Sequence, residues 1–350
     1  MTEIPRYAVT NFSSGVTSES ELTAMCHGKR FHVFLSPSNL RHDDDESKPE
    51  APPSGFEQEY LRLLRALESE DQNQNEFNPD DPDPVEAMFH WVMMPFFPVF
   101  RELAPRLSSE PQTQTLHEYF NPITFFYTLR TVDGRLTPLP CAGNEEELKH
   151  LIPRMDLPQA LSNPDVPFIR PTSLEVTWDA ESEGAQYPTK VLQGDTPYFF
   201  KSTFHGKSRA MEREIETLLR LEETGLTKTI RVPKLHGYVQ FEVDNGISGL
   251  LLTHIQQHDS LGGPTVDDAP LSLREKWFGD VKEMLRQLHE SEIVWGDAKA
   301  DNVLIDPNQD VWIIDFGGSY THGWVDEDKM ETIQGDLQGL ERIKTHLRLG

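Results

Sequence analysis

The stretch that most constrains this chain is residues 293–317, IVWGDAKADNVLIDPNQDVWIIDFG. Asp297 is followed by Lys299 two residues on and Asn302 five residues on, and Asp315 lies 13 residues beyond Asn302, at the head of Asp-Phe-Gly. VLI (303–305) and VWII (311–314) read as two short strands. They read as a hairpin over 303–314, between Asn302 and Asp315. A single Asp or Asn in a loop is ordinarily a turn or capping residue. Several such residues at fixed spacing, with strands between them, argue for a site; Lys299 is the member most easily read as a merely solvated lysine.

A chain of 350 residues suits two domains at about 150 residues each. Hydrophobic residues make up 37% and charged residues 26%, enough for a sizeable core. The formal net charge of −26 repels phosphate backbones and anionic lipid, so nucleic-acid and membrane partners are not expected. Cys26 and Cys141 are far apart and in no metal-binding spacing, which excludes a disulfide scaffold and a Cys-based zinc site. The N-terminus lacks a basic region followed by an apolar run. The most apolar stretch, WVMMPFFPVF (91–100), is broken by proline and far short of the ~18 residues of a membrane span. A cytoplasmic protein is expected, with the nucleus open.

Along the chain, FHVFL (31–35) reads as a strand and 56–69 as a helix with an apolar stripe at Phe56, Tyr60, Leu61, Leu64 and Leu67. Acidic, proline-containing stretches at 41–55 and 70–84 read as loops. Residues 84–105 read as a core helix kinked or ended by Pro95 and Pro98. Residues 115–140 read as strands around an Asp133-Gly134 turn, and 144–152 as a short helix. No catalytic spacing occurs in 1–165.

From about 168 the pattern changes. Strands are expected at 173–179, 189–193 and 197–204, then an amphipathic helix over 210–225 closed by Gly225. Strand-like runs at 232–243 and 247–255 flank a hairpin signal at Asp244-Asn245-Gly246. Helices follow at 271–291 and 336–347, on either side of the 293–317 segment. The order suits an α+β unit with a small sheet-rich part followed by a helical part.

The 293–317 segment resembles the protein-kinase superfamily, whose catalytic loop reads His-Arg-Asp-x-Lys-x-x-Asn, with Asp-Phe-Gly at the same spacing. The resemblance covers about 168–350 and implies a bilobal fold, with a β-rich N-lobe over 168–256 and a truncated helical C-lobe over 257–350. An N-terminal extension, 1–165, lies outside it. By this resemblance Asp297 is the catalytic base, Lys299 offsets charge on the transferring phosphoryl group, and Asn302 and Asp315 ligate Mg²⁺ on ATP. Lys201 is the expected strand lysine, paired with Glu214 on the following helix; Lys190 and Lys207 compete with it, and the gap of 13 residues is short for the family. Adenine is expected against the backbone of Thr253, His254, Ile255 and Gln256.

The chain departs from the family pattern in three places. Residues 179–188, DAESEGAQYP, carry a single glycine, Gly184, where a glycine-rich phosphate loop is expected. Trp295-Gly296 replaces His-Arg, which is similar to aminoglycoside-phosphotransferase-like kinases that read His-Gly-Asp. No Ala-Pro-Glu follows Asp-Phe-Gly, so the C-terminal segment resembles the RIO kinases and the small kinase of the KEOPS complex, with Asp336 as the helix residue bracing the loop. GWVD (323–326) and GDLQGLERI (335–343) also resemble a fungal family of kinase-like proteins. Two functions follow as expectations. One is an ATP-dependent kinase acting on a hydroxyl of a protein or a small molecule; the other is a pseudokinase scaffold, favoured by the missing glycine loop.

Overall fold

The computed structural model describes residues 5–15, 17–41, 55–68, 83–105, 114–177, 187–203, 208–318 and 321–350. The acidic stretches expected as loops fall largely outside these residues, as do Lys207 and nearly all of 179–188. The chain is mixed α and β and divides into two compact units. The first comprises Met1–Gln112, Glu118–Leu151 and Asp179–Tyr187; the second comprises Thr113–His117, Ile152–Trp178 and Pro188–Gly350. Residues 152–165 fall in the second unit. The reason lies in the second unit's own pairing. Met155–Asp156 is a strand on Gly246–Ile247, Leu157 N donates to Asn245 O at 2.8 Å, and Met155, Leu157 and Val166 join that unit's core.

In the first unit a five-stranded sheet runs in the order Ala8–Ser14, Ser20–Cys26, Lys29–Leu35, Thr124–Val132, Arg135–Pro140. All neighbours are antiparallel except Lys29–Leu35 with Thr124–Val132, which are parallel. A parallel pair needs a crossover connection, and the intervening chain supplies helices. Gly55–Glu68 buries Tyr60, Leu63 and Leu64, and Pro84–Met93 buries Met88, Val92 and Met93. These side chains share one core with Leu22, Ala24, Phe31 and Val33 from alternate positions of the sheet. Pro84 occupies the first turn, where its missing N–H costs nothing, and the Asp83 carboxylate accepts from Val85 N at 2.7 Å. At Pro95 the helix tightens to a 3₁₀ turn, Met94–Phe96, and Pro98 lies in the first turn of a new helix, Phe97–Leu103. Leu116–Phe120 is helical where strand was expected.

The second unit holds a seven-stranded sheet in the order Gln114–Thr115, Glu175–Val176, Lys190–Gln193, Thr196–Ser202, Gly249–Thr253, Leu235–Val239, Phe168–Ile169. Its central strands, Thr196–Ser202 and Gly249–Thr253, pair antiparallel with Lys201 opposite Leu250. The Asp244-Asn245-Gly246 signal lies inside a longer connection, because Gly246–Ile247 pairs with Met155–Asp156 before the chain returns to the sheet. Helix Ser208–Glu223 buries Met211, Glu214, Ile215, Leu218 and Leu221 and gives way to Gly225 in the left-handed region (φ 74°). Helix Leu271–Glu290 buries Trp277, Val281, Met284, Leu285 and Leu288 on one stripe. A three-stranded sheet of Asp259–Ser260, Val303–Ile305 and Val311–Ile313 and a last helix, Ile333–His346, complete the unit. Among the described residues, no helix is long and apolar enough to cross a membrane.

One buried histidine makes the first unit acid-sensitive. His32 is enclosed in the sheet, its Nδ1 2.9 Å from Thr23 Oγ1. Burial, reinforced by the nearby His150 and Arg30, pulls its pKa from 6.5 to about 4, although the Glu21 carboxylate lies 3.5 Å from Nε2. The unfolded chain therefore takes up this proton near pH 6.5, and the folded chain not until about pH 4. Stability is lost as pH falls through that window, by about 3 kcal/mol at its lower end. Urea unfolding of His32→Gln beside the native chain checks this: the variant should lose less stability between pH 6.5 and pH 4.

Candidate functional site

Within the second unit, strand Thr196–Ser202 carries Lys201 toward helix Ser208–Glu223. Lys201 Nζ lies 2.6 Å from Glu214 Oε2 and 2.9 Å from Asp315 Oδ1. Glu214 is only 2% exposed, so it needs a cation beside it to stay ionised. Burial raises its pKa, and the Lys201 ammonium pulls the other way. Burial works against the charge of Lys201 too, yet the carboxylates of Glu214 and Asp315 hold its ammonium above the ordinary lysine value. Asp315 is likewise desolvated, but Lys201 holds it below the ordinary carboxylate value, with Lys299 adding to the effect. Lys201 is thus joined to Glu214, and Lys190 lies on the neighbouring strand, opposite Phe199; Lys207 lies outside the described residues.

The loop between Ile293 and Asn302 holds the second group. Asp297 is 3% exposed. Lys299 Nζ lies 2.7 Å from its Oδ2, and Asn302 Nδ2 donates to the same oxygen at 2.9 Å and to the Asp297 carbonyl at 3.0 Å. Thr321 Oγ1 donates to Asp297 Oδ1 at 3.1 Å and accepts from Lys299 Nζ at 3.0 Å. The antiparallel hairpin, Val303 opposite Ile313, returns the chain so that Ile314 N donates to Asn302 O at 3.0 Å. Asp315 follows directly, in the left-handed region (φ 62°) that Asp tolerates better than most side chains.

With its nitrogen committed to Asp297, Asn302 offers its amide oxygen as a donor atom among the described residues, and the Asp315 carboxylate, which meets Lys201 and takes the Gly317 N–H, offers a second. These are hard oxygen donors and only two in number. That set fits Mg²⁺, which is commonly held by one or two protein oxygens together with substrate phosphates. Among the described residues there is no group of three or more His, Cys, Asp or Glu placed to hold a metal by themselves.

Three further side chains fix the loop. Asp336, 1% exposed in the first turn of helix Ile333–His346, accepts from Trp295 N and Gly296 N, both at 2.8 Å, and meets His289 Nε2 at 2.9 Å. The indole of Trp295 is fully buried and donates from Nε1 to Ile314 O at 2.9 Å, tying the loop to the strand before Asp315. Arg213 donates to Val294 O at 3.0 Å, to Trp295 O at 3.1 Å and to Phe316 O, so one guanidinium grips both segments. Gly296 has φ 89°, and a Cβ there would run into that guanidinium. Gly339 likewise lets the last helix meet the Ala298 carbonyl, where a Cβ would collide.

Arg213 and Thr321 escaped the sequence reading. Neither belongs to the Asp–Lys–Asn–Asp spacing, and an arginine on an amphipathic helix gives no sign of its carbonyl partners. Thr253 closes the strand Gly249–Thr253, opposite Tyr198. Its N–H donates to Lys234 O at 3.1 Å, and its Oγ1 accepts from Lys234 N and bonds His236 Nε2, each at 3.0 Å. Its N–H and hydroxyl thus face the neighbouring segment, beside a hollow of about 550 Å³ that Arg231, His236 and Trp312 help to line.

The Asp336 brace is open to test. Asp336→Ala leaves two buried backbone donors without their acceptor and should lower the unfolding free energy by about 3 kcal/mol, read from urea midpoints. An unchanged midpoint would remove the brace from this account. No protein-family model matches the chain, and no curated protein matches it.

Proposed function

We propose that the second unit is a protein-kinase-like phosphotransferase that moves the γ-phosphoryl group of ATP to a hydroxyl acceptor. One observation carries the reading. Lys201 is ion-paired at once to Glu214 and to Asp315, 114 residues away in the chain, next to a loop where Asp297, Lys299 and Asn302 meet. On this reading the sheet around Lys201 is the small lobe of a bilobal fold, and the part from 257 onward is the large one.

Each residue has a role that its surroundings support. Lys201, held by Glu214, reaches the nucleotide phosphates, and Asp297 orients the acceptor hydroxyl and takes its proton. Lys299 supplies positive charge where the transferring group gains negative charge. Asn302 and Asp315 would hold Mg²⁺, which when bound neutralises phosphate charge. The acceptor belongs to either class of hydroxyl, a Ser or Thr side chain or a small molecule.

A second reading, a scaffold that binds nucleotide weakly and transfers nothing, draws on the single glycine in 179–188. The two are separated by measuring Mg-ATP binding and ADP release for the native chain, Asp297→Ala and Asp315→Ala. The enzyme reading expects release to fall by about 10²–10⁴-fold in Asp297→Ala with ATP still bound. It expects metal-dependent binding to be lost in Asp315→Ala. ATP binding without ADP release in the native chain would favour the scaffold.

A further inference from the structure

The hollow beside Thr253 carries a charge opposite to that of the chain. Across the whole sequence Asp and Glu outnumber Lys and Arg by 58 to 32. Among the described residues, the wall of the hollow includes Lys228, Arg231, Lys234 and His236 and no Asp or Glu. It lies within the second unit, and its volume of about 550 Å³ falls inside the ~300–1,000 Å³ of small-molecule sites. Two of its cations meet carboxylates that do not line it. Arg231 Nη2 lies 2.9 Å from Asp310 Oδ2, and Lys234 Nζ lies 3.6 Å from Glu222 Oε2. Both acids are shared with other donors, since Lys276 Nζ meets Asp310 Oδ1 at 2.7 Å and Thr227 Oγ1 donates to Glu222 Oε2 at 2.6 Å. Lys228 acts on Glu222 through charge alone. Three cationic heads are thus set against two carboxylates, in partly exposed pairs that an incoming anion can replace at small cost.

The same wall has an apolar part. The half-buried indole of Trp312 lines it beside the buried Ile230 and Val232. Trp312 Nε1 donates to Asp306 Oδ2 at 3.3 Å, so what it offers a ligand is its ring. Cross-links hold these pieces in place. Lys234 N donates to Thr253 Oγ1 and His236 Nε2 meets the same oxygen, each at 3.0 Å, while Ile313 N donates to Arg231 O at 3.0 Å. A wall fixed in this way loses little freedom when a ligand arrives.

We propose that this hollow binds a small organic phosphate, its dianion met by Lys228, Arg231 and Lys234 and its planar body lying against Trp312. An aromatic ring beside cations suits a ligand that is flat and anionic at once, and the arginine fork matches phosphate oxygens. The site goes beyond the phosphotransferase reading and does not rest on it, because Lys201, Asp297, Asn302 and Asp315 have no part in its wall.

The test titrates phenyl phosphate into the full chain at low ionic strength, by isothermal calorimetry, beside inorganic phosphate and phenol. Phenyl phosphate should bind at least about tenfold more tightly than either, because only it engages both the cations and the ring. Lys228→Gln and Lys234→Gln should each weaken it by about tenfold while melting and binding Mg-ATP as the native chain does. Unchanged affinity in both variants places the probe elsewhere on the chain and overturns the inference. Equal affinity for inorganic phosphate, or no binding of phenyl phosphate at millimolar concentration, overturns it too; each of these leaves the phosphotransferase reading standing. Absence of ADP release from a chain that binds phenyl phosphate as expected overturns that reading and leaves this inference intact.

Discussion

A lysine ammonium shared between two carboxylates organises the second unit. Removing charges from water costs several kcal/mol per ion, and a buried pair recovers this only where the geometry is good. Such a group adds little to stability, but it tolerates few alternatives in structure. Glu214 is almost sealed from solvent, so it accepts only an arrangement that brings Lys201 to it. Three separate pieces of chain must therefore agree. The sheet register must put Lys201 opposite Leu250, the helix must present Glu214 inward among Met211, Ile215 and Leu218, and the hairpin must return Asp315 to the same point.

Around that ion group the supports are mostly backbone amides and carbonyls rather than side-chain pairs. Asp336 takes two N–H groups of the loop, and Arg213 takes three carbonyls on either side of the group. Loop backbone that lacks secondary-structure partners must find others when buried, and here two charged side chains provide them. Gly296 and Gly339 belong to the same design, each leaving room for one of those approaches.

What could be read from the residues was mainly local periodicity and fixed spacing. The buried stripe of Leu271–Glu290 follows from apolar positions three and four apart, and the break between Pro84–Met93 and Phe97–Leu103 follows from proline's missing N–H. The Asp297–Asn302–Asp315 spacing implies a return hairpin because two strands of that length leave few other paths. Long-range pairing was not legible. Nothing in Met155–Asp156 says that it will bind Gly246–Ile247, a pairing that lengthens the connection between the antiparallel strands Leu235–Val239 and Gly249–Thr253 that the Asp244-Asn245-Gly246 signal implies. Leu116–Phe120 and Arg213 were missed for the same reason: their conformation or partners are set by distant chain. The Thr253 hydroxyl meets Lys234 N and His236 Nε2, a pairing across the sheet that position along one strand does not reveal.

Arg213 and Glu214 are consecutive residues on one helix, and between them they grip opposite ends of the machinery. A rigid rotation or slide of that helix cannot release Lys201 without also loosening the carbonyls flanking Asp297 and Asp315. Whatever presses on the outer face of Ser208–Glu223 consequently acts on both halves together, through a single mechanical lever built from adjacent side chains.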